Sequence, residues 1–151
     1  MKHVLNLFFV VICFTVSAQE SDEVSVQRTI ETFFDGFHDQ DSTVIKKTVS
    51  HTVILQTIAK DKEGKEYVRE DKFPGFLKSI VGIPKTTKFE ERIKSYHIQI
   101  DGSMAHAWTP YEFWINGEFH HCGVNSFQLF REEGSWKIIY LIDTRRKEGC
   151  D

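Results

Sequence analysis

Between Val26 and Phe37 apolar side chains recur every three or four positions (Val26, Ile30, Phe33, Phe34, Phe37), with Arg28, Glu31 and Asp35 between them. That period predicts an amphipathic helix, and Asp22 and Glu23 suit its first turn. The run HDQDST breaks the pattern, after which Asp41 or Ser42 can cap a short second helix reaching Ser50. The segment TVILQTIAKDKEGKEYVRED predicts a hairpin with Glu63-Gly64 in its turn. Phe76, Leu77, Ile80 and Val81 predict a third helix that starts near Pro74 and is ended by Gly82 and Pro84.

From Thr86 onward the period changes to two. FEERIKSYHIQI, AHAWTPYEFWI, EFHHCGVNSFQLFR and WKIIYLIDTRR predict four strands, joined at the tight-turn pairs Asp101-Gly102, Asn116-Gly117 and Glu133-Gly134. Helices first and a long meander afterwards make an α+β domain: three N-terminal helices under a strongly curved, mostly antiparallel sheet of about six strands.

The turns also predict a register. With two-residue loops, Ile115 faces Glu118 and Arg131 faces Trp136, which places Trp108 opposite Asn125, Glu112 opposite His121, and Phe127 opposite Tyr140. One face then carries His106, Trp108, Glu112, His121, Asn125, Phe127 and Tyr140. The other carries Tyr111, Phe113, His120, Cys122, Val124, Phe130, Ile139, Leu141, Asp143 and Arg145. A one-residue bulge in any strand would exchange the faces downstream and bring Asp143 and Arg145 to the pocket side.

The run EFHHCGVNSF has the residue types of a metal site, but alternation sends His120 and His121 to opposite sides of a regular strand. Neighbouring strand residues cannot then converge on one ion, so no metal is expected. What remains is an aromatic wall with sparse polar groups, the usual make-up of a small-molecule pocket. Its expected ligand-binding residues are Trp108, Asn125, Tyr140 and Phe127, with His51 at the mouth of the first strand and Asp143 if a bulge is present. If the protein is an enzyme, His121 is the general acid or base and Glu112 orients it. The plainer alternatives stay open: a cross-strand ion pair for Glu112 and His121, core packing for Phe127, a surface turn for His51.

The first residues carry a positive start at Lys2, an apolar run from Val4 to Val16, and the small residues Ser17 and Ala18. This is the layout of a secretory signal peptide cleaved after Ala18, with residues 19–151 left as one domain in the periplasm or outside the cell. The apolar run is shorter than the ~20 residues of a membrane span, so no membrane association is expected after cleavage. The formal net charge of −3 gives no basic patch for nucleic acid. Cys122 and Cys150 remain, and either a bridge or a buried thiol with a free tail thiol fits the sequence. Apolar residues on the second sheet face, Val124, Phe130, Ile139 and Leu141, call for a cover, and a homodimer through that face would supply one.

Ala105-x-Ala107-Trp108, His121-Cys-Gly-x-Asn125-x-Phe127-x-Leu129 and Gly134-x-Trp136-Lys-Ile138 together resemble the nuclear transport factor 2-like superfamily. Within it, they are most similar to the SnoaL-like and lumazine-binding branch of exported bacterial proteins. The resemblance implies a conical, cystatin-like α+β fold with a pocket between sheet and helices, often with a dimer across the outer sheet face. Such relatives include isomerases, dehydratases, cyclases, small-molecule binders and adaptors, so fold alone does not select a function. The expectation is an exported protein that binds a small apolar or aromatic ligand without a cofactor. The alternative is a cofactor-free isomerase or dehydratase working through His121.

Overall fold

The structure is a computed structural model, and it describes residues 21–150. The leader and its cleavage point after Ala18 lie outside the described residues. Helix α1 (Asp22–His38) is capped by Ser21, whose hydroxyl accepts from the Val24 N–H, and buries Val26, Ile30, Phe33 and Phe34. Helix α2 (Ser42–Thr48) is capped by Asp41, whose carboxylate accepts from the N–H groups of Thr43 and Val44. Among the described residues no helix is long and apolar enough to cross a membrane.

Strand β1 (Val49–Lys60) begins where the second helix was expected to continue to Ser50. It forms a hairpin with β2 (Glu66–Asp71) around Gly64, at φ 83°. Helix α3 (Phe73–Val81) follows, and Gly82 caps it. The remaining strands are β3 (Phe89–Ile93), β4 (His97–Asp101), β5 (Met104–Ile115), β6 (Glu118–Glu132) and β7 (Ser135–Thr144). They form one seven-stranded sheet in the order β2-β1-β7-β6-β5-β3, with β4 also on β5. Only β1 and β7 run parallel.

FEERIKSYHIQI, expected as one strand, is two. β3 pairs with β5 as far as Ile93 opposite Tyr111, and β4 resumes at His97 opposite Trp108. The break faces Pro110, which has no N–H to continue the ladder, and the Lys94 N–H donates to the Pro110 carbonyl across it. The edge strand is interrupted at this proline.

Of the three expected corners, the first lies one residue later than expected: Asp101 pairs with Met104, so Gly102-Ser103 rather than Asp101-Gly102 make the turn. The other two are present as type I′ turns, with Asn116 and Gly117 at φ 51° and 83°, and Glu133 and Gly134 at φ 48° and 81°. Ile115 faces Glu118 and Arg131 faces Trp136. Beyond each corner, however, the register slips by one residue. The shift in β5–β6 lies between Phe113 and Trp114 and leaves His120 as the extra residue; the shift in β6–β7 lies between Gln128 and Leu129 and leaves Ile139 extra. Asn125 therefore sits opposite Thr109 rather than Trp108, and Glu112 faces Cys122 rather than His121. Phe127 faces Leu141 rather than Tyr140.

The helices fill the concave side. Phe33 and Phe34 meet Phe127 edge-on at 6.4 and 6.1 Å, and the cluster continues through Leu129, Ile138, Ala105 and Ala107. Burying an aromatic or branched side chain contributes ~1.5–3 kcal/mol relative to leaving it exposed, so this cluster is the main anchor of helix to sheet. Phe127 is completely buried in it and is core.

Candidate functional site

Because both slips act together, the inward row of the sheet differs from the expected one. Thr57, Asp143, Asn125 and Thr109 lie side by side across β1, β7, β6 and β5. All four are buried. The next row toward the core, Leu55, Leu141, Phe127 and Ala107, is apolar. Each of four adjacent strands therefore breaks its inward apolar alternation at the same level, which places a polar shelf inside the cone.

Hydrogen bonds join the shelf. Thr57 Oγ1 donates to Asp143 Oδ1. Arg145 Nε donates to Asp143 Oδ2 at 2.8 Å, and Tyr111 Oη, 3.3 Å from the same oxygen, donates at 2.9 Å to the Thr144 carbonyl. The tyrosine can reach that carbonyl only because residue 123 is glycine: a Cβ there would stand 1.9 Å from the Thr144 oxygen and 2.8 Å from the Tyr111 ring. Burial first, then the carboxylates of Glu91 and Asp143, holds the Tyr111 hydroxyl protonated far above the usual tyrosine range.

Glu91 reaches the shelf from β3. Asn125 Nδ2 donates to its Oε1 at 2.6 Å, and its Oε2 has no protein partner among the described residues. The backbone N–H of Glu91 donates at 2.8 Å to His38 Nε2, at the end of α1, which fixes the strand against the helix. Burial keeps His38 a poor base, as an acceptor nitrogen requires. Glu91 is enclosed by protein on most sides yet keeps part of its surface open to a cavity. Its carboxyl is pushed up to about 8, chiefly by desolvation and further by Asp143, while Asn125 and Arg145 oppose the shift. At neutral pH it is mostly a neutral acid, with a proton to offer from Oε2.

The cavity above the shelf measures about 840 Å³. Phe37, Phe76, Phe89, Phe113, Ile80 and Ile83 wall it; Glu91, Tyr111, His121 and Arg145 supply polar groups; Arg69, Asp71 and Lys72 stand among its lining residues. A smaller hollow of about 90 Å³, which also touches Glu91 and Arg145, reaches Thr57, Asn125 and Asp143. The larger volume falls within the ~300–1,000 Å³ of small-molecule sites.

His121 lies against Phe113 with ring centres 4.9 Å apart, and its Nδ1 is 2.8 Å from Nδ1 of His120. Alternation had placed these two histidines on opposite sides. The bulge at His120 brings them together, because two residues there span a single step of the partner strand. One of the two must carry its proton on Nδ1 for the contact to be a hydrogen bond. Burial, then the positive charges of Arg145, His120 and Lys147, push His121 down to about 4, so its imidazole is neutral at physiological pH.

Of the residues expected to share a wall, His121, Asn125, Phe127 and Asp143 face inward. Trp108, Glu112 and Tyr140 do not. Trp108 is 46% exposed on the outer face opposite Ser126. Glu112 accepts from Lys94 Nζ at 2.8 Å and from Trp114 Nε1 at 3.1 Å, which hold its carboxyl below the usual range, and it cannot orient His121. Tyr140 donates to Gln56 at 2.7 Å outside the cone. His51 lines a separate shallow hollow with Phe73 and Pro74. Leu141, expected outside, packs on the core. Glu91, Tyr111 and Thr57 were not expected at the site, whereas Arg145, like Asp143, reaches it as the bulge alternative foresaw. The signal for Glu91 was present in Phe89-Glu-Glu91-Arg-Ile93, where a carboxylate occupies a core-facing position of a strand.

Cys122 and Cys150 are bridged, with Cα atoms 5.7 Å apart. The Cys122 and Arg146 backbones also exchange two hydrogen bonds of 2.9 Å, so bond and bridge together pin the segment after β7 onto β6.

No family model matches the chain, and no curated protein matches it in sequence. Solved structures match it closely in shape. An NTF2-like protein of unknown function from Shewanella baltica OS155 is 16% identical, with 83% of this chain and 94% of that one covered at a TM-score of 0.60. A protein of unknown function with a cystatin-like fold from Nostoc punctiforme PCC 73102 is 12% identical, covering 84% and 92% at 0.66. An NTF2-like protein with a cystatin-like fold from Novosphingobium aromaticivorans is 11% identical, covering 85% and 83% at 0.65. The chain has the NTF2-like, cystatin-like α+β cone fold.

Proposed function

We propose that the protein binds a small, partly apolar molecule inside the cone. The observation that carries this reading is the aromatic-walled cavity of about 840 Å³ that Glu91 lines with a carboxyl held to Asn125 through one oxygen only. Pushed up to about 8 by desolvation, that carboxyl is mostly protonated at neutral pH. A protonated carboxyl in such a place donates a hydrogen bond to a carbonyl, ether or hydroxyl oxygen, while the Phe and Ile side chains take the rest of the molecule. Mass spectrometry of small molecules released from the purified protein tests it. A stoichiometric apolar compound is expected, lost in Ser79→Trp, where an indole added at the exposed cavity edge of α3 would occupy the space. Recovery of the same compound from that variant would refute binding in the cone.

A second reading has one observation in its favour. A carboxyl with a pKa near 8 can give and take a proton at neutral pH, so Glu91 could serve a cofactor-free isomerase or dehydratase. His121 suits that role less well, being neutral and without Glu112. Turnover of the recovered compound, abolished in Glu91→Gln while binding persists, would select the enzyme.

Export is part of the proposal, supported by the leader pattern and by a disulfide that an oxidising compartment would maintain. N-terminal sequencing should begin at Gln19. A homodimer across the convex face is also proposed, because Ile54, Met104, Trp108 and Phe130 are exposed there. Light scattering at micromolar concentration should give twice the chain mass.

A further inference from the structure

Behind His121 and Arg145, two side chains that also line the main cavity, lies a second hollow of about 470 Å³. Lys60, Arg145, Arg146 and Lys147 contribute to its lining against one acid among the described residues, Glu148. The cations come from two separate places, the end of β1 and the segment after β7, so this is not one solvated charge run. Their charges are only partly met by the protein. Lys60 pairs with Glu66 at 3.6 Å with both side chains well exposed, and Arg145 uses Nε on Asp143. Among the described residues the Arg146 side chain donates only to the Gly149 carbonyl, and Lys147 has no carboxylate partner. The disulfide and the paired backbones of Cys122 and Arg146 hold Arg146 and Lys147 in place beside the hollow. An ordered cationic lining pays less ordering entropy on binding than a mobile tail.

We infer that the ligand is an amphiphilic acid: its apolar body occupies the cone and its oxyanion, a carboxylate or phosphate, is held by Arg146 and Lys147 in the adjoining basic hollow. This rests on the small-molecule reading above and adds the class of ligand. The shelf itself is unsuited to the anion. The Asp143 and Arg145 charges cancel there, and Glu91 presents a donor for a neutral oxygen. Arg69 and Lys72, which also line the main cavity, are paired with Asp71 and Glu70. Among the described residues that line the two hollows, the unpaired positive charge therefore lies on the far side of His121, and charge recognition and apolar recognition are spatially divided.

The experiment loads the mature protein with N-phenyl-1-naphthylamine, an uncharged apolar fluorophore, and displaces it with decanoate, decyl phosphate or decan-1-ol at neutral pH and low salt. At least one of the two acids should displace the probe at about tenfold lower concentration than the alcohol, the size of one charge-assisted contact. Which acid does so distinguishes carboxylate from phosphate. In Arg146→Gln/Lys147→Gln the advantage should disappear while the alcohol behaves as before, since both side chains are exposed and outside the core. Equal displacement by acids and alcohol in the unmodified protein would overturn the acidic ligand and leave the cavity reading standing. An acid preference that survives the double substitution would likewise overturn it. Failure of the fluorophore to bind at all would overturn both.

Discussion

Asn125 on β6 donates to Glu91 on β3 across 2.6 Å, spanning the intervening strand β5 on the inside of the cone. This contact ties the sheet edge to the shelf and leaves the other oxygen of a neutral carboxyl for the cavity. Desolvation of that carboxyl, which the Asn125 contact opposes, gives the fold a pH response. Glu91 keeps its proton up to about 8, whereas an unfolded glutamate loses it near 4.5. Between those values the native chain holds more protons than the unfolded chain, so this residue's contribution to stability falls as pH rises. Glu91→Gln preserves the acceptor for Asn125 and removes the titration. Chemical denaturation should show the variant gaining on the parent from pH 5 to 8, and parallel curves would contradict the neutral acid.

His121 acts with the opposite sign. Its folded pKa is lowered from 6.5 to about 4, so in that window the unfolded chain is protonated and the native chain is not. Stability from this residue is complete above 6.5 and is lost as pH falls toward 4. His121→Gln should flatten the acid limb of the stability profile; an unchanged midpoint difference between pH 7 and pH 4.5 would show that the imidazole is not held neutral.

Gly123→Ala should displace Tyr111 from the Thr144 carbonyl, because the added carbon stands 1.9 Å from that oxygen. Overpacking of this kind typically costs ~1–3 kcal/mol, read as a lower denaturation midpoint. The backbone at β7 would have to move, so ligand recovery should fall as well.

Asp143→Asn keeps the size of the side chain but loses the charge that Arg145 meets and offers Thr57 and Tyr111 one acceptor oxygen in place of two. A loss of ~1–3 kcal/mol in urea unfolding is expected, as for a broken buried hydrogen-bond group. Thr109→Val should behave differently. Its hydroxyl is fully buried with no partner among the described residues, so the isosteric methyl should leave stability unchanged or raise it.

Reduction of Cys122–Cys150 should lower stability by ~2–4 kcal/mol, since the bond closes a loop across a sequence separation of 28. Cys122→Ser/Cys150→Ser in the same denaturation assay should match the reduced protein.

The helices, the strand order around the two glycine corners and the corner pairings were legible in the sequence, because spacing and turn residues fix them locally. The inward row was not. His120 and Ile139 are unremarkable strand residues, and nothing in their identity marks them as the extra residue of a bulge. An alternation argument therefore carried His121, Asn125 and Phe127 to the correct side but sent Trp108, Glu112 and Tyr140 there too. What the pattern did contain was a polar residue interrupting each inward apolar row: Thr57 after Leu55, Thr109 after Ala107, Asn125 before Phe127 and Asp143 after Leu141. Such a shared interruption becomes visible only once the strands are in register. Glu91 was hidden by a further step, since its partner lies two strands away.

The slip at His120 bears on how this pocket could diversify. Point substitutions can alter only the lining already present. Loss of the codon for residue 120 would join Phe119 to His121, each still opposite its present partner, and so would even the pairing without exchanging the faces. A one-residue insertion or deletion elsewhere in β6, with no bulge to absorb it, would swap the inner and outer sets along much of the strand. Insertions and deletions of one residue, usually regarded as damage inside a sheet, would here be the changes that give the same scaffold a different interior.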